Sequence, residues 1–102
     1  MVAQYGLRGS TYHSVLVTVG TSGNVLWHQE YDREVRIRAD LGGTGFLALP
    51  PGKMEERSTR GDLLQSVDDV ADARYDESGA IVLVTGLGEV RWMPSRSRTH
   101  TG

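Results

Sequence analysis

The residues with the most chemical capacity fall in one alternating stretch. His28 and Glu30 lie two apart, and Arg36, Arg38 and Asp40 follow with the same spacing. In an extended chain that period places such residues on one face. If the two segments pair as neighbouring strands, Glu30 lies opposite Arg36 and His28 opposite Arg38, with Arg33 joining from the turn. Clustered guanidinium groups on a rigid sheet hold a carboxylate or phosphate bidentately, and an imidazole adds a donor. The expected ligand is an anionic small molecule such as a nucleotide. A solvated face with cross-strand Glu–Arg pairs, each worth a few tenths of a kcal/mol, explains the same pattern more simply. Leu16 and Leu26 share that face, which predicts that another element or a partner subunit covers it.

Other candidates are weaker. Gly43 and Gly45, within the glycine-rich residues 42–45, could extend the anion site with backbone N–H groups. A dinucleotide site is excluded there, because 46–49 runs into Pro50-Pro51 and cannot open a helix. His13, His28 and His100 are the only imidazoles, and neither His-Glu-x-x-His nor Gly-x-Ser-x-Gly occurs. His28 and Glu30 could supply two metal ligands, but local spacing names no third. A small hydrolase or isomerase using His28 with Glu30 or Asp40 lacks a proton-transfer partner fixed by spacing. Asp68-Asp69-Val70-Ala71-Asp72 lacks the ligand alternation and glycine of a calcium loop. No catalytic residue, metal site or cofactor is assigned.

The elements that must position these groups follow from periodicity. Residues 14–20 and 24–31 are rich in β-branched and aromatic side chains and flank Thr21-Ser22-Gly23, a hairpin signal. Pairing Val19 with Val25 and Val17 with Trp27 puts Val15, Val17, Val19, Val25, Trp27 and Tyr31 on one face. Residues 34–41 alternate as a third strand of the meander, and 46–49 form a short fourth strand stopped by Pro50-Pro51-Gly52. The charged stretch 53–61 reads as a mobile loop, a possible lid. Asp62 with Gln65 resembles a capping box, and Leu63, Leu64, Val67, Val70, Ala71 and Tyr75 recur at helical spacing. Residues 80–85 and 89–93 make a second hairpin that echoes the first: Val-Leu-Val-Thr, a glycine turn, then a tryptophan. The fold class expected is therefore α+β: a mostly antiparallel sheet of about six strands with one helix packed on it. The domain spans 1–94, and 95–102 reads as a disordered basic tail.

Composition narrows the function. The chain has 102 residues, enough for one small domain, and no cysteine, which removes disulfides and thiolate chemistry. Net charge is −2, which disfavours bulk nucleic-acid affinity. No segment reads as a signal peptide or a membrane span, so a cytoplasmic protein with no membrane partner is expected. Lysine and asparagine each occur once against abundant arginine, a codon bias that points to a GC-rich bacterium or its phage. One helix cannot cover both faces of such a sheet. The leading expectation is a non-enzymatic binding or assembly protein, homo-oligomeric or bound to another protein, with Trp92, Leu16 and Leu26 at the interface. The alternative is a sequestering protein for an anionic ligand, using Arg36, Arg38, His28, Glu30, Arg33, Gly43 and Gly45.

Overall fold

The structure, a computed structural model, describes residues 2–7, 13–20, 22–40 and 45–97. These residues form ten strands and no helix. A first sheet contains β1 (Val2–Leu7), β2 (His13–Val19) and β3 (Val25–Tyr31). A second contains β4 (Arg36–Ala39), β5 (Gly45–Leu49), β6 (Lys53–Ser58) and β7 (Leu63–Asp68). A third contains β8 (Val70–Tyr75), β9 (Ile81–Thr85) and β10 (Val90–Met93). Each ladder is antiparallel and joins strands consecutive in sequence.

The second sheet is apolar on both faces. Every residue of β5 is buried, as expected for a strand covered on two sides. Phe46 and Ala48 pack with Leu16 and Val35, and with the partly buried Trp27, Tyr31 and Ile37, on the side of the first sheet. Leu47, Leu49 and Met54 pack with Val70, Ala73, Ile81 and Leu83 on the side of the third. Burying each such side chain contributes about 1.5–3 kcal/mol. Trp27 and Phe46 meet as a tilted pair with centroids 6.3 Å apart.

The α+β expectation is overturned: the described residues are all-β, with three small antiparallel sheets. Residues 62–75, read as a helix, form β7, a corner and β8. Two β-bulges account for the misleading spacing. Glu56 pairs with Gln65 and Arg57 with Leu63, leaving Leu64 as an extra residue. Val70 pairs with Thr85 and Asp72 with Val84, leaving Ala71 as another. A bulge shifts the alternation by one, so Val70 and Ala73, three apart, both point into the core. Asp69 turns the corner between sheets at φ 59, a left-handed conformation that aspartate tolerates. Residues 53–61, read as a mobile loop, supply β6, which is largely buried. The three-stranded meander is also corrected. β3 does not pair with β4; β4 pairs with β5 instead.

A third bulge resets the first hairpin. Val19 pairs with Val25 as expected, but Thr18 pairs with Trp27, and Leu26 is the extra residue. The inner face therefore carries Leu16, Thr18 and Trp27 rather than Val15, Val17 and Trp27. Leu16 and Thr18 are buried, while Val15 and Val17 are half-buried. Gly61, at φ 87 in the β6–β7 connection, lies against the ring of Trp27, where a Cβ would sit 2.1 Å from the indole. Arg57 holds this arrangement, donating to Gly61 O at 2.8 Å with its guanidinium 4.9 Å from the indole centroid.

Two stability outcomes follow. Gly61→Ala combines a left-handed backbone with a steric clash and should lower unfolding free energy by about 2–4 kcal/mol. Urea denaturation with Trp27 fluorescence in a Trp92→Phe background checks it. Thr18→Val should raise stability by about 1 kcal/mol, because the buried Thr18 hydroxyl has no hydrogen-bond partner among the described residues. Thermal melts of the variant and the parent decide this.

Candidate functional site

β6 presents two adjacent carboxylates to opposite faces of the second sheet. Glu56 points toward the third sheet and is fully buried. A buried carboxylate is tolerable only when donors replace its water. Ser95 Oγ and Tyr75 OH donate to Oε2, each at 2.7 Å. Gln65 Nε2 and the Arg96 backbone N–H donate to Oε1, each at 2.8 Å. Burial pushes the Glu56 pKa up, but the bonds from Ser95, Gln65, Arg96 and Tyr75 together outweigh it, and the net shift is downward. Burial first, then the bond to Glu56, raises the Tyr75 pKa, with the Asp40 charge adding to it. Both carboxylate oxygens already accept two bonds, so Glu56 is a structural anchor and not a free general base.

What Glu56 anchors is the segment after β10. Ser95 and Ser97 are buried. Their hydroxyls lie 2.9 Å apart, and Ser95 gives its proton to Glu56. Gln65 also donates to Pro94 O at 3.1 Å. Gly45 opens β5 directly beneath Ser97, where a Cβ would meet Ser97 Cβ at 2.4 Å. Residues 95–97 are thus held, although the sequence read as a tail from 95 onward; 98–102 lie outside the described residues.

Glu55 points the other way. It accepts from Tyr31 OH at 2.8 Å and from Arg57 at 3.4 Å. Burial and the bond to Glu55 push the Tyr31 pKa up to about 12. The two faces of β6 thereby tie the second sheet to the first through Tyr31 and to the third through Tyr75.

The residues proposed from sequence are dispersed. His28 and Glu30 are exposed on β3, and Arg33 is exposed in the β3–β4 connection. Arg36 and Arg38 lie on β4 in a different sheet and turn to β8. Arg36 meets Asp72 at 3.4 Å and Ala71 O at 2.8 Å, and Arg38 meets Asp72 at 3.7 Å. The shared Arg–His face required β3–β4 pairing, and it does not form. Gly43 lies outside the described residues, and Gly45 serves as the seat of Ser97. Leu16 is fully buried, whereas Leu26 is exposed at its bulge. Among the described residues no group of three or more His, Asp or Glu side chains could hold a metal. Among the described residues no helix is long and apolar enough to cross a membrane.

Trp92 is placed differently from every other aromatic side chain described. It pairs with Val82, and Val90 pairs with Val84. Ile81 and Leu83 point into the core, so these four residues occupy the outer face of the third sheet. Trp92 is 65% exposed, Val90 54%, and Leu87 at the hairpin tip 85%. Val82, Val84 and Val90, with Arg74 and Asp72, line a depression of about 270 Å³ on this face. Behind β10, Val67, Leu83, Met93, Glu89, Arg91 and Trp92 itself line a groove of about 350 Å³. Comparison with protein-family models, curated proteins and solved structures finds no match for the chain.

Replacing Glu56 tests the anchor. Glu56→Gln sets an amide N–H₂ against donors and should remove about 3 kcal/mol of stability. The folded pKa is lowered, so the anchor stabilises fully above the ordinary glutamate value of 4.5 and is lost as pH falls through the folded value. Urea melts from neutral to acid pH should show that loss in the parent, with this component missing from the variant.

Proposed function

We propose that this protein is a non-enzymatic assembly protein whose working surface is the outer face of the third sheet, with a second copy of the chain as its partner. The observation that carries the proposal is Trp92, a large aromatic side chain held on a rigid strand and left open beside Val90, Val82 and Val84. Tryptophan is the most enriched anchor of protein interfaces, and monomers seldom leave a contiguous apolar strip uncovered. Smallness adds to the case: a domain of this length buries a modest share of its surface and gains from a partner.

The anionic-ligand alternative draws less support. Arg36 and Arg38 already bond β8, Arg33 lies apart in the β3–β4 connection, and His28 sits on another sheet.

Sedimentation equilibrium over a concentration series tests the proposal. The parent should self-associate. Trp92→Ser should stay folded by circular dichroism and lose about 2 kcal/mol or more of association free energy. A parent that remains monomeric throughout would overturn it.

A further inference from the structure

The open edge of the third sheet specifies how two copies would meet, an inference that rests on the assembly function above. Among the described residues β10 is a terminal strand, with β9 on one side only. Thr85 N–H donates to Glu89 C=O at 2.9 Å, which fixes the phase of the ladder. In an antiparallel ladder hydrogen-bonded and non-bonded pairs alternate. Glu89, Arg91 and Met93 therefore turn their backbone groups to β9, and Val90 and Trp92 turn theirs to the open edge. An exposed edge of this kind is a template for another strand.

The side chains determine which strand fits. Glu89 and Arg91 flank Val90 and bond each other at 2.9 Å on the groove side. Consider a second β10 laid antiparallel about a two-fold axis through Val90. Val90 meets Val90 of the partner subunit and exchanges both backbone bonds with it. Glu89 then lies opposite Arg91 of the partner subunit, and Arg91 opposite Glu89 of the partner subunit. Trp92 lies over Gly88 of the partner subunit, where no side chain obstructs the indole. An axis through Arg91 instead would oppose two guanidinium groups. With the axis at Val90, the sequence Gly88-Glu89-Val90-Arg91-Trp92 is thus complementary to itself in charge and in shape.

From this complementarity we infer that two copies join edge to edge through β10, with Val90 on the two-fold axis, making a continuous six-stranded antiparallel sheet. The exposed Val90 and Trp92 become central in that sheet, and the outer faces of both copies become one surface. Foreign strands lacking the alternating charges are rejected by the same pair that admits a second copy.

Charge reversal tests the register. In Glu89→Arg every cross-strand pair becomes Arg against Arg, and in Arg91→Glu it becomes Glu against Glu. Each single variant should weaken dimerisation by roughly tenfold or more. Mixing the two single variants should restore a dimer containing one of each, because both cross-strand pairs are then opposite in charge. Within each chain the neighbouring residues at 89 and 91 remain alike in charge, so an effect confined to the chain cannot produce this rescue. Native mass spectrometry separates the three dimers, since the variants differ in mass. Preferential mixed dimers support the inference. If single variants dimerise like the parent while Trp92→Ser does not, the assembly function stands and this register is wrong. A monomeric parent removes both.

Discussion

A carboxylate sealed from water must find all its hydrogen bonds inside the protein, and Glu56 sets that condition at the centre of this molecule. Its donors come from β7, β8 and the segment after β10, so satisfying one side chain aligns three parts of the chain. All of these donors are neutral. Nothing in the cluster depends on a buried ion pair, with its two desolvation costs. The neighbouring Glu55 repeats the logic on the other face with Tyr31 and Arg57. A strand of sequence Lys-Met-Glu-Glu-Arg-Ser can lie in the interior because each charge meets a partner on its own side.

Polar interior and apolar surface are complementary parts of this fold. Polar contacts fasten the middle sheet to its neighbours through tyrosine hydroxyls. Apolar contacts fill the remaining space around β5. The third sheet uses Ile81 and Leu83 for that purpose and leaves Val82, Val84, Val90 and Trp92 for whatever lies outside. A surface built on strands rather than loops is rigid, and a rigid surface loses little entropy when something binds it.

Individual strands were readable from residue order, while three single-residue bulges hid two strands as a helix and reset the first hairpin. The strands at 14–20, 24–31, 46–49, 80–85 and 89–93 announce themselves by alternation and glycine turns, and all are present. Leu64 and Ala71 break the alternation of β7 and β8, and two strands with a broken period imitate a helix. β6 was illegible for another reason: its glutamates look solvated until Tyr31 and Tyr75 are placed beside them. The supposed site failed at the level of pairing. His28, Glu30, Arg36 and Arg38 each carry the right chemistry, but bringing them together needed a β3–β4 ladder that local spacing could not establish. Trp92 was expected at a surface, and it is exposed. That it faces outward while Trp27 faces inward depends on the Leu26 bulge, which the second hairpin lacks.

The connectivity has a kinetic meaning. Every ladder joins strands that follow one another along the chain, so each can close with little loop entropy, and topologies built from such local contacts fold quickly for β-proteins. The Ser95–Glu56 bond is different, spanning 39 positions. During synthesis all ten strands emerge before Ser95, and the sheets can pair while Glu56 is still missing its final donors. The carboxylate at the centre of the fold is therefore satisfied only once the chain beyond β10 has been made, so the last described residues complete a bond network that the middle of the chain begins.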